Sequence, residues 1–281
     1  MFKGHYVIDA HCHIYPDKIA HKAAETISMF YNGLHHVGGD VGTLLVLMEQ
    51  QGIDYAVVNS AAMSPHQVKS VNCFLLESSQ SHPDKFAHLG SVHPDCTEQE
   101  KDETFYFLKD NGFHGLKLHP DMLGIPIDDP RMLDLLARCQ EAALPVLLHT
   151  GDIRYDFSNP NRLAPVLRRF PGLTVIGGHF AGRDMYVQAA DRLHSFPNLC
   201  ADCSSAFDSM DAQEARYCIR TFGTHRLMFG TDYPMMTPGE DLEFLDSYDL
   251  GPQAMEDILW KNAVKIYHLT PPWLGEKGEN P

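Results

Sequence analysis

No stretch of the 281-residue chain stays apolar for the length needed to span a bilayer, and the opening MFKGHYVIDA lacks the apolar h-region of a secretory signal. We therefore expect no membrane association and a cytoplasmic protein. Positive charge is also scarce: 22 Lys plus Arg stand against 37 Asp plus Glu, a formal net charge of -15. Such a surface repels phosphate backbones and anionic lipid, so nucleic acid is not an expected partner. A small-molecule substrate remains, because a local ion or a few cations override the general field inside a pocket. Cysteine is thinly spread. Seven is an odd count that suits reduced thiols better than a disulfide framework. Cys200 and Cys203 form a C-x-x-C, but within the strand-like NLCADCSS, whereas redox pairs of that spacing open a helix. Finally, no G-x-G-x-x-G follows the first strand, which argues against a doubly wound nucleotide-binding sheet.

What is present is an ordinary globular composition, 44% hydrophobic and 21% charged, arranged in a repeating pattern. Eight short β-like runs recur: 5–10, 53–59, 86–92, 113–118, 145–149, 173–178, 198–202 and 226–230. Lys117, His149, His179, Asp202 and Asp232 lie near the ends of the later runs at gaps of 32, 30, 23 and 30 residues, each one βα unit. Helical periodicity fills the intervals at 97–110, 130–142, 160–169, 183–195 and 209–221, and 252–267 closes the series. Eight strands each feeding a helix are best satisfied by a (β/α)8 TIM barrel, and barrels of this length form one domain, here expected to span 1–281.

Two segments break the regularity. The stretch 14–40, between the first strand and its helix, is longer than a normal βα loop and carries Phe30, Tyr31, His35, His36, Gly38 and Gly39. Insertions of this kind sit over a barrel's active-site mouth, so a lid is expected. The tail 271–281, PPWLGEKGENP, has no apolar period and reads as loosely held.

The sharpest chemical signal is Asp9-Ala10-His11-Cys12-His13. In a strand, side chains two apart share a face about 6.6 Å apart, so both imidazoles can converge on one metal while Cys12 points away. His149 ends the apolar run PVLLH, His179 ends LTVIGGH and Asp232 follows RLMFG. An imidazole at the end of a doubly buried strand needs a hydrogen-bond partner or a metal. In a barrel these residues meet, because the loops after the strands converge on one face. A divalent ion held there lowers the pKa of bound water from about 15.7 towards 7. Asp232 can then carry its proton, and the ion and His179 stabilise charge on an attacked oxygen. Asp9 and Asp202 are candidates to hold ligand imidazoles in one tautomer, with a helix N-cap the alternative for Asp202. Arg154 and Arg183, just beyond His149 and His179, are candidate substrate-carboxylate contacts. His119, in KLHP, could add to the site, but a loop histidine before proline is more often structural.

The words IDAHCHIYP, GLKLHP, LLHTGD, GGHF, FGTDYP and NAVKIYHL resemble the amidohydrolase superfamily, in its amidohydrolase-related branch that includes aminocarboxymuconate semialdehyde decarboxylase. The resemblance runs from about residue 7 to 269. It implies metal ligands His11, His13, His149 and Asp232, with His179 beside the ion. Lys117 would take the position where two-metal relatives carry a bridging carboxylated lysine. The alternatives for Lys117 are an ammonium receiving a substrate carboxylate and a structural ion pair, and one ion is favoured. Zinc suits the donor set best, with manganese, cobalt, iron or nickel open. Hydrolysis of an amide, ester or lactone in a small metabolite is the leading expectation. Its rival is a non-oxidative decarboxylase or hydratase acting on an unsaturated or aromatic carboxylate. A barrel that binds without catalysis is a third possibility, and a homodimer is compatible with the family.

Overall fold

Every strand of the barrel is buried on both faces and most are apolar runs, the pattern of a parallel sheet wrapped in helices. The computed structural model describes residues 1–275. Its strands are β1 Ile8–His13, β2 Tyr55–Asn59, β3 Phe86–His88, β4 Leu116–Leu118, β5 Val146–Leu148, β6 Val175–Gly177, β7 Leu199–Asp202 and β8 Leu227–Met228. All pair in parallel and in sequence order, as a three-stranded sheet β1-β2-β3 and a five-stranded sheet β4 to β8. Two parallel bridges join the sheets into a ring, Gly90 with Leu116 and Cys12 with Tyr233. The second seam is reinforced by Ala10 N–H to Phe229 O (2.9 Å), Asp232 N–H to His11 O (2.8 Å) and His13 N–H to Tyr233 O (2.6 Å).

The helices are α1 Asp17–Phe30, α2 Val41–Gln51, α3 Val68–Ser81, α4 Glu98–Asp110, α5 Pro120–Leu123, α6 Pro130–Glu141, α7 Pro160–Arg169, α8 Tyr186–Leu193, α9 Ala212–Phe222 and α10 Pro238–Asp246. A closing helical segment runs through Pro252–Glu256, a π-helical turn Asp257–Lys261 and Asn262–Tyr267. Starts are set by local chemistry. Thr97 and Glu100 form a capping box on α4, and Asp211 and Glu214 form one on α9. Asp129 and Asn159 cap α6 and α7, each with Pro at the first helical position.

Two apolar layers follow from strand alternation. Leu116, Leu118, Val146, Leu148, Leu199, Ala201 and Leu227 face the helices, whereas Ile8, Tyr55, Ala87, Leu147, Ile176, Cys200 and Met228 fill the barrel interior. The interior layer leaves one end of the ring to polar groups.

Several expectations need correction. β1 runs 8–13 rather than 5–10, so His11 and His13 lie within the strand. They reach the interior through a β-bulge: the pairing shifts between Asp9–Ala56 and Cys12–Val58, so Ala10 and His11 together oppose Val57. Ile8 and Ala10 below the bulge, and His11 and His13 above it, therefore all face inward, and Cys12 packs outside. α8 is shorter than 183–195 because His179, Phe180, Ala181 and Asp184 have φ of 59°, 52°, 58° and 57°, a left-handed path that delays the helix. The stretch 14–40 is largely α1, which has no side-chain N-cap and so gave no start signal. In the tail, residues 271–275 are not loose: Trp273 stacks on Tyr6 at 4.4 Å and 5° and packs against the interior core. Residues 276–281 lie outside the described residues. No described helix is long and apolar enough to cross a membrane.

Candidate metal centre and active site

At the C-terminal end of the strands the interior turns from apolar to ionisable. Lys117, flanked by outward Leu116 and Leu118, points inward fully buried and donates to His11 Nε2 at 2.8 Å. His11 Nε2 lies 3.2 Å from His13 Nε2 and 3.4 Å from Asp232 Oδ1, and His13 Nε2 is 3.1 Å from the same carboxylate oxygen. His179 Nε2 is 3.0 Å from His149 Nδ1. The ligand atoms of His11, His179 and Asp232 all lie within 4.8 Å of one another, and those of His119, Asp121 and His149 form a second such group. His13 thus joins the first group through His11 and Asp232, whereas His149 bridges the two groups.

Hydrogen-bond partners decide which nitrogen carries the proton. His11 Nδ1 lies 3.0 Å from Asp202 Oδ2, so Nδ1 donates and Nε2 keeps its lone pair. His179 Nδ1 donates to the Ser204 carbonyl at 2.8 Å, leaving Nε2 bare. His149 Nε2 donates to the Gly151 carbonyl at 3.2 Å, leaving Nδ1 bare. Three lone pairs and the Asp232 carboxylate therefore converge, together with His13 Nε2. His13 Nδ1 is buried without a partner. These crowded acceptors, met by a single ammonium at Lys117, are satisfied by a cation between them, so the donor set fits a divalent ion. The second group does not fit one: His119 Nδ1 accepts from the Met122 N–H at 3.3 Å, so its Nε2 carries the proton.

Asp202 is the organiser. Besides His11 it accepts the His179 N–H (3.0 Å) and the Ser204 N–H (3.1 Å), fixing two histidines from two strands. Burial alone would raise its pKa, but its interactions with His11, His179 and Ser204 hold it well below the usual carboxylate range. Asp232 behaves alike, burial being outweighed by His13, His11 and His179. Burial pushes His13 and His179 each down to about 4, and His149 and His119 well below their ordinary value. The Lys117 ammonium is lowered to about 8 by burial, against the pull of Asp232 and Asp202. Asp9 touches no imidazole side chain; it accepts from Thr231 N–H (3.0 Å) and Thr231 Oγ1 (2.6 Å), holding the seam beside the site.

The arginines separate. Arg154 is engaged elsewhere: it donates to both oxygens of Asp152 and to the Phe30 carbonyl, and its guanidinium lies 5.0–5.1 Å from the rings of Phe30, Tyr31 and Tyr155. It ties the end of α1 to the loop after β5 and is not free to clamp a carboxylate. Arg183 is buried, its Nε has no hydrogen-bond partner, and Asp184 approaches only to 4.0 Å. Its backbone fits only because residue 151 is glycine, with φ of 75° and the Gly182–Arg183 backbone 2.4–2.6 Å from where a Cβ would stand.

A cavity of about 170 Å³ opens onto His13, His149 and Asp232, and α1 covers it with Ala23, Thr26 and Ile27, followed by Tyr31 just past the helix end. The sequence reading did not single out the role of Tyr31, whose hydroxyl lies 3.0 Å from His119 Nε2 and 3.1 Å from His149 Nε2. His119, open from the sequence as an addition to the site, stacks on His149 at 4.0 Å, and beside it stands Asp121, which no motif singled out and which burial raises to about 6. The available signal was the H-x-D spacing of LHPD directly after β4.

Comparisons agree with this architecture. A curated 2-amino-3-carboxymuconate-6-semialdehyde decarboxylase from Dictyostelium discoideum is 21% identical over 239 residues, 72% of this chain and 66% of that protein, so the chain spans about two thirds of its length. A dihydroxybenzoic acid decarboxylase from Polaromonas sp. JS666, solved with bound manganese, superposes with a TM-score of 0.73 at 17% identity, over 94% of this chain and 97% of that one. An amidohydrolase from Burkholderia multivorans with bound zinc gives 0.73 at 16%, over 94% and 100%. Both share the TIM-barrel fold with this chain. A family model described as amidohydrolase matches residues 8–269, and the chain belongs to that family, as an enzyme of the amidohydrolase superfamily.

Proposed function

We propose that the protein is a metal-dependent decarboxylase of a small unsaturated or aromatic carboxylate. The observation that carries this reading is Arg183, a buried guanidinium with an unpartnered Nε, 4.7 Å from the centroid of the Tyr31 ring that lines the pocket. A buried guanidinium whose nearest carboxylate, Asp184, stands off at 4.0 Å without a hydrogen bond is better satisfied when an anion arrives to pair with it. Hydrolysis of a neutral amide or lactone has no use for such a receptor. The decarboxylase names of several relatives support the reading.

His11, His13, His149 and Asp232 would hold the ion, with His179 beside it; zinc or manganese suits the donors. Bound there, the ion supplies a Lewis acid that withdraws electron density from a coordinated oxygen. Arg183 anchors the substrate carboxylate. The bond to the carboxyl carbon breaks, carbon dioxide leaves, and the electron pair left on the substrate carbon takes a proton that the Asp232 carboxylate first accepts from solvent and then passes on. Asp232 is placed for this by Ser205, whose hydroxyl donates to Oδ2 at 3.0 Å. Lys117 remains fixed to His11 as a second positive group of the hollow.

Hydrolysis is the second reading, favoured by the convergence of Asp232 with three imidazoles, an arrangement that also suits activation of water. The test is a panel of aromatic and unsaturated carboxylates, lactones and amides, assayed with zinc or manganese for carbon dioxide and for hydrolysis products. Carbon dioxide evolution that is lost in Arg183→Ala supports the proposal. Turnover that consumes water and releases no carbon dioxide overturns it in favour of hydrolysis.

A further inference from the structure

Tyr31 enters the pocket from α1 and its oxygen meets two histidine nitrogens that both carry protons. His119 Nε2 is protonated because its Nδ1 accepts the Met122 N–H. His149 Nε2 is protonated because it faces the Gly151 carbonyl. The phenol oxygen therefore accepts from His119 at 3.0 Å and shares the His149 proton, at 3.1 Å, with the Gly151 carbonyl, and the Arg183 guanidinium lies 4.7 Å from the ring centroid. Two N–H donors at one oxygen, with a guanidinium over the ring that carries it, form a receptor that suits an oxyanion better than a neutral hydroxyl. Tyr31 is 9% exposed, and beside it the cavity wall carries Met63, Met122 and Met235.

We propose that Tyr31 is a placeholder for the substrate: the His119–His149 pair is a subsite for the oxyanion of an aryl carboxylate or phenolate, and the Tyr31 ring and oxygen occupy it until ligand displaces them. The inference rests on the barrel mouth being the catalytic pocket. Displacement requires the end of α1 to move, and the contacts that resist it are those of Arg154, which joins Phe30 and Tyr31 to Asp152 and Tyr155. This gives the segment 14–40 a lid role with a defined latch. Flexible methionines in the wall let the same space accept rings of different outline.

A placeholder and a substrate contact predict opposite signs. If Tyr31 competes with ligand, Tyr31→Phe, which keeps the ring but loses the hydroxyl's anchors, binds ligand more tightly; if Tyr31 contacts ligand, the same change weakens binding. The experiment is calorimetric titration of the full-length chain with benzoate, with toluene as the uncharged ring of similar outline. Near-ultraviolet circular dichroism confirms that each variant is folded. We expect benzoate to bind Tyr31→Phe several-fold, and Tyr31→Ala at least tenfold, more tightly than the unaltered chain. His119→Ala added to Tyr31→Ala should erase the gain for benzoate and leave toluene unchanged. Weaker benzoate binding in Tyr31→Phe overturns the proposal, as does a Tyr31→Ala gain that persists without His119. These readouts are binding constants, so they stand or fall separately from whether any carboxylate is decarboxylated.

Discussion

Asp241, in the first turn of α10, is 1% exposed and neither of its oxygens has a hydrogen-bond partner. Burial, then the nearby negative charges of Asp208, Asp9, Glu240 and Asp232, push its pKa up to about 8 from an ordinary value of 3.8. A position near a helix N-terminus favours an anion by about 0.3–1 kcal/mol, too little to offset burial. The folded protein therefore binds this proton more tightly than the unfolded chain does. Below pH 4 the group is neutral in both states and contributes no pH dependence. From about pH 4 to about pH 8 only the unfolded state ionises, and folding stability falls by about 1.4 kcal/mol per pH unit. Above about pH 8 both states are ionised and the loss stops growing. Over that window the penalty is of order 5 kcal/mol, comparable with the whole stability of many domains. Asp241→Asn removes the titration and keeps the shape. In urea unfolding from pH 4 to pH 9, the difference in stability between Asp241→Asn and the unaltered chain should move steadily in the variant's favour and level off near pH 8. A difference independent of pH would refute the reasoning, because it would mean that Asp241 ionises in the folded protein as readily as in the unfolded one.

Other outcomes follow from the site. Asp202→Asn should weaken metal binding by about 10–100-fold, measured by competition with a chromophoric chelator, because His11 and His179 lose the charge that orients them. Asp232→Ala should abolish turnover while leaving circular dichroism near that of the unaltered chain; global unfolding would mean that its role is structural. Gly151→Ala should cost both metal affinity and activity, since a Cβ would force the Gly182–Arg183 backbone away, and unchanged kinetics would contradict that packing. Trp273→Ala should destabilise the chain by about 3 kcal/mol in denaturant unfolding through the lost stacking on Tyr6 and the interior core.

The strands were legible because a parallel barrel buries both faces, so PVLLH and LTVIGG announce themselves as unbroken apolar runs. Helix limits were legible where capping chemistry is local: the start at 97, one residue early, is the capping residue Thr97 itself, and 160–169 coincides with α7. α1 was not legible, since Pro16 precedes it without a side-chain cap, and α8 was overextended because nothing in HFAGRD signals four left-handed residues. At the site, the residue types that meet could be read from their positions after strands. Their working atoms could not. Whether His149 turns Nδ1 or Nε2 inward depends on the Gly151 carbonyl, and the orientation of His11 depends on Asp202, far along the chain. The bulge that turns His11 and His13 inward is a property of the pairing with β2, invisible in β1 alone. Arg154 looked equivalent to Arg183 until its partners were seen.

The seam between β1 and the turn after β8 has a consequence for biosynthesis. Asp9 and Thr231, which meet there, are 222 positions apart, so the chain emerging from a ribosome carries His11 and His13 on a strand with one open edge for most of its synthesis. Ion capture at the finished centre must come after the last strand has docked, and a prematurely terminated product would expose a sticky, half-paired ribbon to aggregation or proteolysis.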